Sequence, residues 1–503
     1  MDLSDLIARN AAFTPDKPAL RFEGAVLSYA DFDARIGALA ASLKSDYGVA
    51  RGDRIAILSL NRPDYLVALY ACARLGAMLV PLNWRLAIPE QLFILADASV
   101  KVVLLEKAFA DILPPLVASM PQAKIIGLDF APAGAASIDE AIADASGDGR
   151  NPHTDLTCPL LIVYTSGTTG RPKGAVLRQE ALMWNGVMSQ HMHALTSADH
   201  VLTVLPFFHV GGLNIQTTPA LHHGATVTIH SRFAPGATLK AITDDRPTLT
   251  VLVPATIQAV TDHPDWASTD LSCLRAVSTG SSVVPPQLIE RITTRKIPVL
   301  QVYGSTETCP ISIYTRIGGK APSPETTGLP GLFCEAKVVD ETGAEVAAGS
   351  VGEILLRGPN VFFEYWGNAE ATSAALRDGW FRTGDLASRD EAGYFYVRDR
   401  KTNMIISGGE NIYPAEVERV LLEHPSVADC GVVGRPDDKW QEVAVAYVVL
   451  RTDCACDAAT LQSHVGAQLA RFKVPREVVF VDDLPRTALG KVQHFVLKRQ
   501  GGA

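Results

Sequence analysis

Between residues 54 and 106 the sequence alternates short apolar runs with stretches of helical character. The predicted elements are, in order, strand 54–60, helix 62–75, strand 77–83, a helix from Pro89 to Ala98 and strand 101–106. Gly76 directly follows the first helix and predicts its end, because glycine tolerates the left-handed conformation found there. Strands that alternate with helices require right-handed crossovers and a largely parallel sheet. The predicted fold class is therefore α/β.

The rest of the chain divides into units of different character. Short apolar runs that recur between residues 200 and 305 predict a second α/β sheet. From 336 to 397, alternating runs broken by glycines predict antiparallel hairpins. Beyond Arg400 the predicted elements are helix 414–424, strands 428–433 and 442–450, helix 458–470 and strand 477–481. We predict a large N-terminal domain over 1–399, a hinge at 400–403 and a small, mobile α+β domain over 404–503.

Composition narrows the class of protein. The chain has 503 residues, 47% of them hydrophobic and 20% charged, as in a soluble globular protein with an ample core. Its formal charge of −9 comes without a basic stripe, which argues against a nucleic-acid partner but leaves small anions open. The first residues lack a signal-peptide pattern. The apolar stretch 65–82 contains Arg74, which favours a buried helix and strand over a membrane span.

Cysteine and histidine spacing gives no metal or disulfide pattern. The eight cysteines include no CxxC pair, which suits a reducing cytoplasm, where we expect the protein. His191 with His193, and His222 with His223, lack a third ligand at metal-like spacing. These histidines are predicted to be ordinary surface or satisfied core residues, and no transition metal is assigned.

The segment Tyr164–Gly174 predicts a phosphate-binding loop. Its glycines let backbone N–H groups approach an anion closely, and hydroxyl groups and a lysine add further donors. The candidate donors are Thr165, Ser166, Gly167, Thr168, Thr169 and Lys173. No Gly-Lys-Ser/Thr ends the segment, so it is not a Walker A loop.

This loop resembles the signature of the acyl-CoA synthetase superfamily, the adenylate-forming enzymes, with motifs closest to bacterial fatty-acid and aryl-acid CoA ligases. The resemblance implies that Tyr303 stacks on adenine, Thr306 contacts phosphate and Glu307 helps to bind Mg²⁺. It also implies that Asp385 and Arg400 hold the nucleotide ribose. Trp380–Asp385 and Arg400 flank a predicted hairpin, so both side chains can project from one edge.

Lys491, in the segment Pro485–Lys491, is the catalytic lysine that the resemblance implies. A mobile cation there can bridge the attacking carboxylate and the α-phosphate of ATP, where charge spreads in the transition state. At the hinge the sequence reads Arg400-Lys401-Thr402-Asn403 and departs from the lysine or aspartate that many relatives carry. Small polar residues still allow hinging, with Thr402 as the candidate pivot.

Coenzyme A is the predicted thiol substrate. By resemblance, Gly408 and Gly409 line a narrow thiol tunnel after the small domain rotates. The other positions that match coenzyme A contacts are Arg85, Trp440, Phe472 and Arg476.

The segment Pro206–Leu213 resembles the family segment whose histidine lies beside the carboxylate substrate, which makes His209 a pocket residue. The further pocket candidates are Trp184, Val210, Gly211, Gly280, Val302, Gly304, Cys309 and Pro310. The arginine of malonate-activating relatives is replaced by Ala259, and no aspartate is present to pair an amine. Burying an unpaired charge is costly, so a neutral tail is predicted, either aromatic or medium-to-long acyl. The glycines at 211, 212 and 280 are expected to leave space for it.

The predicted reaction joins a monocarboxylic acid to coenzyme A in two steps at the expense of ATP. Catalytic roles fall to Lys491, Glu307, Thr306 and His209. Two alternatives stay open: an acyl-AMP-forming enzyme with another acceptor, and a non-catalytic nucleotide-binding homologue. The partners are the acid, ATP with Mg²⁺, and coenzyme A, and a homodimer is compatible with the sequence.

Overall fold

The structure is a computed structural model that describes residues 1–143, 145–165, 172–280, 284–401, 403–407, 410–437, 440–452, 454–469, 471–487 and 490–500, without the side chains of residues 400, 410, 411 and 441. Its helices are α1 (Asp5–Phe13), α2 (Tyr29–Ser45), α3 (Pro63–Leu75), α4 (Ile88–Asp97), α5 (Leu113–Ser119), α6 (Ile138–Ala143), α7 (Gln179–His193), α8 (Val210–Gly212), α9 (Thr218–His222), α10 (Pro235–Asp245), α11 (Pro254–Thr261), α12 (Pro286–Thr293), α13 (Ala369–Ala375), α14 (Pro414–Leu422), α15 (Ala458–Gln468) and α16 (His494–Gln500).

The strands are β1 (Pro18–Phe22), β2 (Ala25–Ser28), β3 (Arg54–Leu58), β4 (Met78–Pro81), β5 (Val102–Leu105), β6 (Lys124–Gly127), β7 (Pro159–Thr165), β8 (Lys173–Arg178), β9 (His200–Thr203), β10 (Thr226–Ile229), β11 (Leu249–Val251), β12 (Ala276–Gly280), β13 (Val299–Tyr303), β14 (Ile313–Tyr314), β15 (Leu329–Pro330), β16 (Glu335–Val339), β17 (Val351–Arg357), β18 (Glu364–Tyr365), β19 (Leu376–Arg377), β20 (Trp380–Arg389), β21 (Phe395–Arg400), β22 (Ile405–Ser407), β23 (Glu410–Ile412), β24 (Val427–Asp437), β25 (Gln441–Leu450) and β26 (Glu477–Phe480).

Two large mixed sheets carry the predicted α/β alternation. One has seven strands in the order β18-β8-β7-β4-β3-β5-β6, and the run from β7 to β6 is parallel. The other has nine strands in the order β15-β14-β13-β12-β11-β9-β10-β1-β2. Buried side chains from both sheets and the helices between them form one continuous core. The predicted pair of α/β sheets is confirmed.

The helix α3 shows how local sequence sets these elements. It begins with Pro63, whose fixed φ suits the first turn, and ends at Gly76 in the left-handed conformation with φ 73°. Every residue from Asp64 to Leu75 is buried, and β4 follows directly. The stretch 65–82 is therefore a buried helix and strand, as predicted.

A third, antiparallel sheet follows, and a fourth completes the chain. In the third sheet β20 lies between β17 and β19 and also pairs with β21, which confirms the predicted hairpins. The fourth has the order β23-β22-β25-β24, with β26 parallel to β25, and it has its own apolar core with α14 and α15. This small unit confirms the predicted α+β fold of the C-terminal part, whereas its limits and its mobility stay predictions.

Candidate functional site

The predicted phosphate loop connects β7 to β8, which pair as an antiparallel hairpin. Thr165 ends β7 opposite Lys173 at the start of β8, and the Thr165 hydroxyl donates to the Lys173 carbonyl at 3.4 Å. The middle of the loop, with Ser166, Gly167, Thr168 and Thr169, lies outside the described residues. The hairpin therefore fixes the two ends of the loop, with the lysine beside the threonine.

Lys173 and Glu307 are brought together by Tyr365. The Lys173 Nζ atom lies 5.5 Å from the centroid of the Tyr365 ring. The Tyr365 hydroxyl donates to Glu307 Oε1 at 2.8 Å. Tyr365 reaches this place because β18 pairs with β8, with Tyr365 opposite Ala175. The Lys173 cation thus lies over the Tyr365 ring, and the Glu307 carboxylate lies at its hydroxyl, both at the base of the phosphate loop.

The Glu307 carboxylate is suited to bind Mg²⁺. It lies in the 3₁₀ turn Thr306–Thr308, and its carbonyl accepts the Phe362 N–H at 2.7 Å. Mg²⁺ is commonly held by one or two carboxylates together with waters and substrate phosphates, so a single carboxylate beside a phosphate loop is adequate. Among the described residues, no group of three or more His, Cys, Asp and Glu side chains could hold a metal ion without a substrate.

Tyr303 and Asp385 form the expected nucleotide side of the site. The Tyr303 hydroxyl donates to Asp385 Oδ2 at 2.8 Å. Asp385 is buried on β20, and it is paired in register with Arg400 on β21. The prediction that Asp385 and Arg400 meet at one end of a hairpin is confirmed for the backbone. The half-buried Thr306 lies three residues after Tyr303 and next to Glu307.

The candidate acid pocket gathers at the carboxyl ends of β12 and β13. Gly280 and Val302 are paired in register, and Gly304 follows β13. Cys309 is buried and accepts a hydrogen bond from Asn214 Nδ2 at 3.5 Å. Asn214 lies in a π-helical turn, 213–217, that continues α8 and its residues Val210 and Gly211. The π-helical turn therefore ties the His209 segment to the β13 side of the pocket, and π turns of this kind are frequent at functional sites.

Two glycines near this pocket have a different role from the one predicted. A Cβ atom on Gly212 would lie 2.3 Å from the Pro206 carbonyl oxygen, and one on Gly280 would lie 2.3 Å from that of Val302. Close approach of backbone, rather than space for the acid, therefore requires glycine at both positions.

Trp184 lies on α7 and is half-buried. Its ring packs against that of Phe333 with a centroid distance of 4.6 Å. The neighbouring Asn185 anchors α7, because its Nδ2 donates to the Asn214 carbonyl at 2.6 Å and its Oδ1 accepts the Ile311 N–H at 3.1 Å. An aromatic pair is thus held beside the segments that form the candidate pocket.

His209, the candidate pocket residue, is buried and lies in the field of two cations. Burial first, and then the positive charges of Lys491 and Arg85, lower the pKa of His209 to about 3. His209 is therefore neutral at physiological pH. The loop before Lys491 also contacts the large part of the molecule, since a Cβ atom on Gly490 would lie 3.0 Å from the Ala255 Cβ.

The expected coenzyme A residues fall into separate groups. The Arg476 guanidinium lies 5.8 Å from the Trp440 ring centroid, whereas Phe472 packs with Lys473. The Arg85 guanidinium carbon lies 4.7 Å from the centroid of the Trp84 ring. Because the charge of Arg85 acts on His209, this residue belongs to the acid-pocket group. Gly408, Gly409 and Thr402 lie outside the described residues.

The prediction of ordinary surface or satisfied core histidines holds for His193 but is wrong for His222. His193 is a satisfied core residue, because its two ring nitrogens contact the Ser189 carbonyl and the Ser278 hydroxyl, both at 2.8 Å. His222 is buried as well, but neither ring nitrogen has a hydrogen-bond partner. Burial and the charge of His223 lower the pKa of His222 to about 3, so it stays neutral. Neutralisation, rather than pairing, is how this side chain is accommodated.

Comparison with known families decides the identity. The family model described as AMP-binding enzyme matches residues 7–366, and the model described as AMP-binding enzyme C-terminal domain matches residues 416–491. The chain belongs to this family. The resemblance stated from the sequence motifs is thereby confirmed.

Relatives of this AMP-binding enzyme match over nearly the whole chain. An indoleacetate–CoA ligase of Aromatoleum aromaticum is 48% identical over 98% of this chain and 97% of its own. A feruloyl-CoA synthase of an Amycolatopsis species is 40% identical over 98% of both chains. The crystal structure of an anthranilate CoA ligase in complex with anthranoyl-AMP superposes with a TM-score of 0.93 at 25% identity, over 100% of this chain and 97% of that one.

Sequence reasoning missed Tyr365 and Asn214 in this AMP-binding enzyme. Tyr365 belongs to the run Phe362–Trp366, whose density of aromatic residues was the only available signal. Asn214 follows Leu213 in an apolar segment and carries no pattern of its own. Within the described ranges, no helix combines the length and the apolar character needed to cross a membrane.

Proposed function

We propose that this enzyme activates an aromatic monocarboxylic acid and transfers it to coenzyme A. Its reaction class is that of an AMP-forming acyl-CoA ligase, in line with its family and with relatives that match it end to end. The observation that supports the proposal is the contact of the Gly490–Lys491 loop with Ala255 of the large part of the molecule, together with the charge of Lys491 that acts on His209 in the candidate acid pocket.

The first step forms the acyl adenylate. A carboxylate oxygen of the acid attacks the α-phosphorus of ATP, and pyrophosphate leaves. Lys491 stabilises the negative charge that develops between these groups, while Lys173 binds the departing phosphates at the base of the loop. Glu307 would hold Mg²⁺, which when bound neutralises phosphate charge. Tyr303 and Asp385 orient the nucleoside at the opposite side.

The second step forms the thioester. The thiol sulfur of coenzyme A attacks the acyl carbonyl, loses its proton, and AMP leaves as the carbon–oxygen bond breaks. Two reactions at one carbonyl need different neighbours, so Lys491 must withdraw before the thiol enters. We assign this movement to residues 400–403 and the contact with coenzyme A to Trp440, Phe472 and Arg476.

An aromatic tail is favoured over an aliphatic one. The indoleacetate and feruloyl relatives, at 48% and 40% identity, act on aromatic acids by name. The Trp184–Phe333 pair offers ring faces beside the candidate pocket, and the His209 ring in that pocket is kept neutral.

Pyrophosphate release across a panel of acids tests this proposal. The panel contains indole-3-acetate, ferulate, benzoate, octanoate and palmitate, each at saturating ATP, Mg²⁺ and coenzyme A. We expect at least one aromatic acid to give a kcat/KM at least about tenfold above either fatty acid, a preference of about 1.4 kcal/mol. Higher kcat/KM for octanoate or palmitate would contradict the aromatic assignment. A cytoplasmic location and a homodimer stay predictions.

A further inference from the structure

The loop that carries Lys491 is closed on itself by backbone contacts. The Thr487 N–H donates to the Lys491 carbonyl at 2.7 Å, and the Lys491 N–H donates to the Thr487 hydroxyl at 3.1 Å. The Gln493 N–H donates to the Pro485 carbonyl at 2.8 Å. These bonds set the shape of the loop, and Arg486 connects it to β24 by donating to the Asp429 carboxylate as well as to the Gly490 carbonyl.

His494 makes a second connection between this part of the chain and the small unit. It begins α16, three residues after Lys491, and its Nε2 lies 2.8 Å from Glu418 Oε1 on α14. The same carboxylate oxygen accepts the Val432 N–H of β24 at 2.7 Å, which fixes its position. Both side chains are largely buried, with 18% of His494 and 17% of Glu418 exposed. His494 is therefore an anchored residue close to the base of the lysine loop, because three residues span at most about 10 Å.

Three charged groups from three elements act on the imidazole. Glu418 lies on α14, Asp399 lies near the end of β21, and Lys498 lies on α16 itself. Desolvation lowers the pKa of His494, but the hydrogen bond and charge of Glu418, together with the charge of Asp399, outweigh it and raise the pKa overall. On β24, burial raises the pKa of the nearby Cys430 thiol, which stays neutral.

Asp399 links the imidazole to the large part of the molecule. This carboxylate accepts the Ala415 N–H at 2.9 Å and the Asn403 side-chain amide at 3.2 Å, across the predicted hinge. It is paired with Leu386 in the antiparallel sheet. An imidazolium between Asp399 and Glu418 therefore stabilises the arrangement in which the small unit lies against the large one.

We propose that protonated His494 is a positioning residue that holds Lys491 in place for adenylation. The proposal rests on the proposed function, because the place of Lys491 matters only if the chain forms an acyl adenylate. His494 fixes the base of the lysine loop through Glu418 and favours the docked arrangement through Asp399.

This role has a pH signature of defined sign. The pair is fully formed below the ordinary histidine pKa of about 6.5 and is lost as pH rises through the raised value. Adenylation should therefore weaken with rising pH in that window. Thioester formation does not use Lys491, so it should not follow the same curve.

The test measures the two half-reactions separately between pH 6 and pH 9. Adenylation is followed as acid-dependent exchange of labelled pyrophosphate into ATP, and thioester formation is followed from synthetic acyl-AMP and coenzyme A. The His494→Gln variant should lose about tenfold in adenylation kcat at pH 6.5, with the KM of the acid unchanged and thioester formation within about twofold. The His494→Arg variant keeps the charge at every pH, so it should retain adenylation and flatten the pH profile.

Three outcomes are distinguishable. A parallel loss of both half-reactions in His494→Gln, with an unchanged thermal unfolding curve, overturns the positioning role. An unaltered pH profile in His494→Arg overturns it too. Absence of exchange in the unmodified enzyme with every acid of the panel is a different result, which overturns the proposed function itself.

Discussion

At the scale of single residues, the site depends on groups that share partners. Tyr365 contacts Lys173 through its ring face and Glu307 through its hydroxyl, so it links the proposed phosphate-binding cation to the proposed metal-binding carboxylate. Tyr303 hydrogen-bonds Asp385 through its hydroxyl. Aromatic residues with a polar end are suited to this because one face packs while the tip hydrogen-bonds.

Replacing Lys491 should separate the two half-reactions. Lys491→Ala removes the cation that stabilises the developing charge, and we expect adenylation to fall by about 10²- to 10³-fold. Thioester formation from supplied acyl-AMP should stay within a few-fold. The control is Lys240→Ala, an exposed lysine on α10 that pairs with Asp244. Equal losses in both half-reactions would contradict the assigned role.

Replacing Glu307 should weaken the use of Mg²⁺. In Glu307→Gln the carboxylate charge is lost while the shape is kept, so the Mg²⁺ concentration for half-maximal pyrophosphate release should rise about tenfold or more. Tyr365→Phe is the matched comparison, since it removes the hydroxyl that donates to Glu307 at 2.8 Å and keeps the carboxylate. It should cost less. An Mg²⁺ titration that Glu307→Gln leaves unchanged would exclude Glu307 as a ligand.

At the scale of elements, the helix pair α7–α9 contains His222, a buried histidine whose ring nitrogens have no hydrogen-bond partner among the described residues. The Nδ1 atom of His222 on α9 lies 3.1 Å from where Gly186 on α7 would carry a Cβ atom. The ring also meets Tyr70 edge-on at 6.0 Å. This packing buries the ring, and burial is the main reason that its pKa is lowered and the ring stays neutral.

The stability of this region should depend on pH through His222. Its folded pKa of about 3 lies below the unfolded value of about 6.5, so the unfolded state binds more protons between them. Stability from the neutral ring is complete above pH 6.5 and declines as pH falls toward 3. The unmodified protein should lose unfolding free energy between pH 7 and pH 5. We expect this loss to be about 2 kcal/mol smaller in His222→Leu.

Urea unfolding of the variant and the unmodified protein at the two pH values provides the measurement. His153→Leu, at an exposed position, is the control and should not change the difference. Identical pH dependence in His222→Leu and the unmodified protein would show that His222 is not protonated on unfolding in this range.

The same elements show what the sequence could and could not predict. The ends of α3 and α14 follow from Pro63, Gly76 and Pro414, because caps and first-turn prolines act within a few residues. The pairing of β1 with β10, with Leu20 opposite Val227, is set by packing between distant segments, and no local pattern contains it.

The candidate site follows the same division. Asp385 and Arg400 were predictable partners, since a short hairpin joins them. The contacts of Tyr365 with Glu307 and of His494 with Glu418 link residues far apart in the chain, so neither could be predicted from local pattern. Gly212 and Gly280 were expected to leave space for the acid. Their close approach to backbone carbonyls could not be predicted, because a sequence does not show which backbone passes close to a glycine.

At the scale of the whole molecule, catalysis depends on where the small unit lies. Its Gly490–Lys491 loop reaches the start of α11 at Ala255 and acts on His209. We propose that this is the adenylating arrangement, because the cation acts at the candidate acid pocket, and that thioester formation uses a different one.

A bulky residue at the docking point should therefore impair only the first half-reaction. In Ala255→Trp the indole would crowd Gly490, where an added Cβ atom would already lie 3.0 Å from the Ala255 Cβ, and adenylation should fall about tenfold or more. Thioester formation from acyl-AMP should persist. The control is Ala267→Trp, at an exposed position that follows the turn Pro264–Trp266. Unimpaired adenylation in Ala255→Trp would contradict the docked arrangement as the adenylating one.

The most direct test of the ligase assignment is the stoichiometry of AMP and thioester, measured by chromatography with indole-3-acetate, ATP and Mg²⁺ in the presence and absence of coenzyme A. We predict AMP and acyl-CoA in equal amounts when coenzyme A is present. Without it we predict no more than about one equivalent of acyl-AMP per enzyme, because the adenylate stays bound. Continuous release of AMP and free acid in its absence, or AMP without thioester in its presence, would contradict the assignment.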